Sequence, residues 1–263
     1  MSNPSGKTYE DRFGGLERIF GDGSLEKLRS ARVAVIGIGG VGTWVVESLA
    51  RSGVGHLLLV DLDDICITNT NRQLHAYEGQ VGRMKTEAMA ERARLINPEI
   101  SIQTLETFFT PLSAGDILTP DLDLVVDAID STADKAFLVK ACRDLGLSLV
   151  ISGGAGGKVD PTKIQAVDLG KVTGDPLIKA LRRQLKESHG IVADDQGLYG
   201  LDCVFSTEPA VMPWNVCSRV EKPGKEGMRI NCASGFGAAS FVTGAFGLAL
   251  ASLAVRKILN TAD

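Results

Sequence analysis

The chain has 263 residues, 44% hydrophobic and 23% charged, enough for one large core or a nucleotide-binding domain with an appended lobe. With 28 basic and 32 acidic side chains its net charge is −4, which argues against a surface built as a whole for nucleic acid and leaves room for a local basic patch. The five cysteines (Cys66, Cys142, Cys203, Cys217 and Cys232) form no C-x-x-C pair, which argues against a disulfide framework or a Cys₄ zinc site.

Residues 1–30 read as an N-terminal arm and helix. The opening MSNPSGKTYEDRF is polar and lacks the apolar core of a secretory signal, so a cytoplasmic location is expected. Arg32–Ile36 (RVAVI) is a short β-branched run that ends at glycines, the mark of a buried parallel strand. A helix follows from about Gly42 to Arg51, then a strand over His56–Val60 that stops at Asp61. A helix is predicted from Arg83 to Ile96, closed by Asn97-Pro98. Strands at Ile100–Leu105 and Leu122–Ile129 precede a helix at Ala133–Leu145. A further strand, Leu147–Ile151, runs into Gly153-Gly154-Ala155-Gly156-Gly157. This alternation predicts an α/β fold with a doubly wound, Rossmann-like, mostly parallel sheet, its core spanning residues 31–157.

Beyond Lys158 the rhythm changes. Residues 158–263 read as a substrate-facing extension of the same domain, adding C-terminal strands and helices. One strand candidate, Ile164–Leu169, is followed by a charged helix and Gly/Pro-rich loops. Between Ile230 and Val255 no residue is charged, and Phe241–Leu259 reads as an apolar helix. Its Gly, Ala, Ser and Thr content favours a buried core or dimer-interface helix, with membrane association through residues 236–259 as the lesser reading.

Gly37-Ile38-Gly39-Gly40-Val41-Gly42 fits G-x-G-x-x-G between a strand and a helix. Gly37 suits the tight turn, Gly39 lets phosphate approach the backbone, and Gly42 packs the helix against the strand. The helix start then offers N–H groups and a positive dipole end to an anion. Asp61, at the tip of the second strand, is placed to accept hydrogen bonds from a ribose. The motif by itself favours NAD. The next segment shifts the balance to ATP, because Asn69-Thr70-Asn71-Arg72-Gln73 follows Asp61 and Asp63, and Lys85 opens the next helix. A triphosphate needs such cations beyond the helix terminus. Asp130, after the Leu122–Ile129 strand, is a candidate magnesium ligand. Gly156-Gly157-Lys158 lacks the first glycine and the Ser/Thr of a P-loop.

Taken together, Gly37-x-Gly39-Gly40-x-Gly42, Asp61-x-Asp63, Asn69-x-x-Arg72-Gln73, Lys85 and Asp127-x-x-Asp130 resemble the E1-like adenylating superfamily. The resemblance implies that Asp61 contacts ribose and that Asn69, Arg72 and Lys85 position the triphosphate. Asp130 would bind Mg²⁺, and Arg12 would reach across a homodimer toward the γ-phosphate. With Gly153–Gly157, Asp202-Cys203-Val204-Phe205-Ser206 and Cys232-Ala233-Ser234-Gly235-Phe236-Gly237 added, the chain is most similar to the tRNA threonylcarbamoyladenosine dehydratases. That family implies ATP-dependent cyclisation of the threonylcarbamoyl group on adenosine 37 of tRNAs that read ANN codons. It also brings a sulfur-acceptor or cysteine-desulfurase partner into view.

The same ATP site would serve an activator of a ubiquitin-like sulfur-carrier protein, which usually carries zinc. An NAD-dependent oxidoreductase is the more distant alternative, since no hydride-transfer acid or base is evident. Cys203 and Cys232 are the candidates for an acyl-accepting thiol, although an intramolecular acceptor makes one unnecessary. His56 reads as structural, and His75 as a neighbour of the Arg72 segment. Lys179, Arg182, Arg183 and Lys186 share a predicted helix face, and Arg219, Lys222, Lys225 and Arg229 cluster on a loop, two basic groups suited to tRNA.

Overall fold

The computed structural model describes residues 8–217 and 236–261. Its helices are α1 (Tyr9–Phe20), α2 (Ser24–Ser30), α3 (Gly42–Arg51), α4 (Lys85–Ile96), α5 (Ala114–Ile117), α6 (Thr132–Leu145), α7 (Pro176–His189), α8 (Pro213–Val216) and α9 (Ser240–Leu259). The strands are β1 (Arg32–Ile36), β2 (His56–Val60), β3 (Ser101–Leu105), β4 (Leu124–Asp127), β5 (Leu149–Ser152), β6 (Ile164–Asp168) and β7 (Asp202–Ser206). They form one seven-stranded sheet in the order β3-β2-β1-β4-β5-β7-β6. Every pairing is parallel except the last, β6 with β7.

Alternating residues on the strands feed two cores. Val33, Val35, Leu57, Leu59, Leu124 and Val126 pack with α3, α4 and α9 on one face. Ala34, Ile36, Leu58, Val60, Val125 and Ile151 pack with α6 and α7 on the other. The chain winds outward from β1 through β2 to β3, then crosses to β4 on the other side of β1. That reversal leaves a crevice at the C-terminal ends of β1 and β4, where doubly wound sheets bind ligands. Ile36 pairs with Asp127 there, so the loops after both strands start level.

Three sequence expectations need correction. Helix α4 begins at Lys85 rather than Arg83, because Met84 is held in an antiparallel bridge to Asp64 and the Arg83 carbonyl accepts from Ile65. The second half contributes two strands, not one. Asp202–Ser206 is almost wholly buried between β5 and β6, and its three consecutive apolar residues, Cys203–Phe205, are too short a run to mark a buried strand. The predicted face of Lys179, Arg182, Arg183 and Lys186 is not uniformly free. Arg182 is half-buried and donates to the carbonyls of Leu169 and Gly170, at 3.4 and 3.1 Å.

Helix α9 is the one described helix long and apolar enough to cross a membrane, yet it lies mostly buried along α3 and the sheet. Its small residues allow this approach. A Cβ at Gly247 would lie 2.5 Å from the Trp44 Cβ and 2.7 Å from the Val41 carbonyl oxygen.

Candidate active site

The glycine loop connects β1 to α3. Gly37 has φ +91°, and a Cβ there would meet the Ala128 carbonyl oxygen at 2.9 Å. Gly42 is stricter still, since its Cβ would stand 1.8 Å from the Gly37 carbonyl oxygen. These two glycines bring the loop against the β4 turn and the helix against its own strand. Gly39 faces open space, and a Cβ there would have the Gln73 amide nitrogen as its nearest neighbour, at 4.0 Å. Among the described residues, the N–H groups of Gly39 and Gly40 meet no acceptor. They lie at the start of α3, where an anion is stabilised by the helix dipole.

Asp61 closes β2 and is almost fully buried. Its Oδ2 accepts from Ile38 N–H at 2.7 Å and its Oδ1 from Asp63 N–H at 2.9 Å. Burial raises its carboxyl above the usual range, and the nearby Lys85 ammonium opposes the rise. A carboxylate has about four acceptor positions, so two backbone bonds leave capacity for ribose hydroxyls. Asp63 is differently occupied. Its Oδ2 takes the Lys85 ammonium at 2.6 Å, with the lysine side chain almost buried at the start of α4.

The segment between β2 and α4 is anchored on the loop by its backbone. The Arg72 carbonyl accepts from Trp44 Nε1 at 3.3 Å and from Thr243 Oγ1 at 3.2 Å, tying it to α3 and α9. The Arg72 stem lies over Gly40, 3.5 Å from where a Cβ would be, and its guanidinium donates to the Thr68 carbonyl and Asn71 Oδ1. Asn69 is buried and its Oδ1 caps the Ile67–Asn69 turn by accepting from Cys66 N–H at 3.0 Å. Its oxygen therefore serves the loop's own shape. Gln73 is also buried, and its Oε1 has no hydrogen-bond partner among the described residues. His75 faces the Ile38 carbonyl at 3.1 Å through Nε2.

On the other wall, Asp130 is exposed just beyond β4. The turn that carries it is set by Asp127, whose Oδ1 accepts from Ile129 N–H at 2.9 Å. Asp127 is in turn paired with Lys135 of α6 at 2.8 Å, both side chains fully buried. Sequence reasoning did not single out Lys135. The available signal was its place three, four and seven residues before Leu138, Val139 and Cys142, on the buried face of α6.

Other candidates fall elsewhere. Arg12 is exposed on α1, which packs through Tyr9 and Phe13 beside Gly53, beyond the far end of α3. A ten-residue helix is about 15 Å long, so Arg12 belongs to the opposite end of the sheet from its own glycine loop. Cys203 is fully buried in β7, and burial pushes its thiol well above the ordinary range. Lys158 is buried and donates to the Glu208 carbonyl at 2.6 Å, and His56 is half-buried at the start of β2. Cys232 and the Arg219, Lys222, Lys225 and Arg229 group lie outside the described residues.

The donor set fits a nucleoside triphosphate: free N–H groups at a helix start, a buried carboxylate with spare acceptor positions, an unpartnered Gln73 oxygen, and two cations. Among the described residues, no group of three or more His, Cys, Asp or Glu forms a metal cage. A magnesium ion shared with phosphates needs none, because one or two carboxylates suffice.

The chain is similar over its whole length to known proteins. The chain is 46% identical to tRNA threonylcarbamoyladenosine dehydratase of Escherichia coli (strain K12), over 100% of this chain and 98% of the relative. It is 44% identical to the dehydratase of Haemophilus influenzae, over 96% of this chain and 95% of that one. The crystal structure of the E. coli dehydratase in complex with ATP superposes with a TM-score of 0.86 at 42% identity, covering 99% of this chain and 97% of that chain. A match to the ThiF family model begins at Phe13 and runs to residue 263, through arm, core and extension alike: the chain belongs to the ThiF family.

Proposed function

We propose that this protein is an ATP- and Mg²⁺-dependent tRNA-modifying enzyme that cyclises the threonylcarbamoyl group of threonylcarbamoyladenosine by dehydration. What supports this reading is a glycine loop with unpartnered Gly39 and Gly40 N–H groups, held by Asp61 and overlain by the Arg72 stem, with Lys85 on Asp63 and Asp130 just beyond β4, in a chain similar over its whole length to dehydratases of that name.

ATP supplies the leaving groups: the threonyl carboxylate takes the adenylyl group as pyrophosphate departs, and the carbamoyl group closes the ring as AMP departs. The chain's residues divide the remaining work. Asp61 orients the ribose. The glycine N–H groups and the α3 dipole hold phosphate, while Arg72 and Lys85 offset the charge that grows on the departing pyrophosphate. Lys85 exchanges its Asp63 partner for phosphate or shares the two. Asp130 would hold the magnesium ion, which supplies Lewis-acid stabilisation there. Ring closure is intramolecular, so orientation contributes much of the rate and no enzyme thiol is needed. The buried, protonated Cys203 is consistent with that.

The position of α1 supports a homodimer in which Arg12 serves the partner's nucleotide. The exposed Lys179, Arg183 and Lys186 on α7 are the proposed tRNA contacts among the described residues. The burial of α9 supports a cytoplasmic enzyme.

The decisive experiment incubates the protein with ATP, Mg²⁺ and threonylcarbamoyl-modified tRNA and weighs the nucleoside. The expected product is lighter by one water. An unchanged mass, with AMP released only when a sulfur-carrier protein is added, would overturn the tRNA assignment in favour of carrier activation.

A further inference from the structure

Ile38, the second residue of the glycine loop, is held from two sides. Its N–H donates to Asp61 Oδ2 at 2.7 Å, and its carbonyl lies 3.1 Å from His75 Nε2. Ile38 and His75 are both essentially inaccessible to solvent. A carbonyl can only accept, so the His75 proton sits on Nε2 and the ring donates. Nδ1 has no partner among the described residues, which agrees with a bare acceptor nitrogen. Burial, with the Lys85 ammonium nearby, pushes the His75 pKa down to about 4, so the ring is neutral and this tautomer persists at physiological pH.

The consequence lies on the far side of the peptide bond. The Ile38 carbonyl and the Gly39 N–H belong to one planar trans peptide and point in opposite directions. A hydrogen bond that draws the carbonyl inward toward His75 therefore turns the Gly39 N–H outward, where it meets no acceptor among the described residues. Gly39 has no side chain to restrict its peptide, so the orientation has to be imposed from outside. Asp61 fixes the preceding peptide, and His75 fixes this one.

We infer that His75 is a positioning residue, which holds the Ile38–Gly39 peptide so that the Gly39 N–H is aimed at the phosphates of the bound nucleotide. This rests on the ATP reading above and extends it to a residue that touches neither substrate. It also gives the segment after β2 a second task. The Arg72 stem lies over Gly40, and three residues later His75 holds the Ile38 carbonyl.

The test compares wild type with His75→Leu, which keeps bulk and removes the donor, and with His75→Gln, whose amide N–H reaches a similar distance. Dissociation constants for ATP and for adenosine are measured by calorimetry on the folded full-length protein. In His75→Leu, ATP binding is expected to weaken about tenfold, while adenosine changes by less than about twofold, the scale of one misdirected hydrogen bond. His75→Gln is expected to recover most of the ATP affinity. If ATP affinity in folded His75→Leu stays at the wild-type value, or ATP and adenosine weaken together, the positioning role is wrong. Should His75→Leu not fold, His75→Asn, whose amide falls short of Ile38, replaces it with the same expectations. A wild-type protein that binds no ATP removes the ATP reading and this inference with it. Wild-type binding beside an unaffected variant removes this inference only.

Discussion

Lys135 and Asp127 form an ion pair of 2.8 Å in which neither side chain reaches solvent, directly beneath the turn that carries Asp130. Burial pushes the Asp127 carboxyl up and the Lys135 ammonium pulls it back, so each charge depends on the other. Lys135→Met leaves an unpaired buried carboxylate and is expected to lower unfolding stability by about 3–5 kcal/mol. The double variant Lys135→Met with Asp127→Asn, which keeps an acceptor for Ile129 N–H, should regain most of that loss. Urea unfolding of the single and double variants checks it, and a double variant as unstable as the single would refute the pairing.

Gly39 and Gly42 belong to one motif and should fail differently. Gly42→Ala places a methyl 1.8 Å from a backbone oxygen, so the loop must shift, and thermal melting should fall with nucleotide binding. Gly39→Ala meets nothing nearer than the Gln73 amide nitrogen at 4.0 Å, so the fold should persist while ATP affinity drops. Melting curves beside ATP titrations separate the two. Equal melting loss in both variants would contradict the assignment of Gly39 to the ligand.

The depressed pKa of His75 makes a signed prediction about pH. The ring titrates near 6.5 when unfolded and near 4 when folded, so the unfolded state binds the extra proton between those values. Stability from this group is full above about pH 6.5 and is lost as pH falls toward about 4, at up to about 1.4 kcal/mol per pH unit. His75→Gln should flatten that part of the stability profile relative to wild type. Identical slopes in urea titrations across this window would show that His75 is not buried neutral.

Lys85→Ala and Asp130→Ala are expected to abolish AMP formation while leaving the fold intact, since Asp63 and Asp130 are both exposed. Cys203→Ala should retain AMP formation within about threefold, because a thiol kept protonated by burial is a poor nucleophile. Rates of AMP release and far-ultraviolet circular dichroism check all three. Near-normal turnover in Asp130→Ala would remove its magnesium role, and a dead, folded Cys203→Ala would restore the thiol.

The core of the fold was legible because its periodicities are local. β1 and β2 fell at their observed limits, and the glycine loop between a β-branched strand and a helix marked a candidate nucleotide site without tertiary information. β7 was not legible as a strand, because its apolar run, Cys203–Phe205, is only three residues long and is flanked by Asp202 and Ser206, where β1 carries a longer β-branched run. The basic character of Arg182 was legible, but not that its guanidinium is engaged by two carbonyls.

The sequence by itself determined the fold class, the candidate phosphate-binding loop and the candidate cations, since each depends on residue type at short spacing. Only the tertiary structure decided which charges are free and which are committed. Asp63 and Lys85 are 22 residues apart in the chain and in contact in the fold, Asp127 is neutralised by a lysine from the next helix, and Arg12 lies at the wrong end of its own sheet. The physical reason is that a charge's role depends on its solvation and nearest partners, which are set by how elements pack and not by their order in the chain.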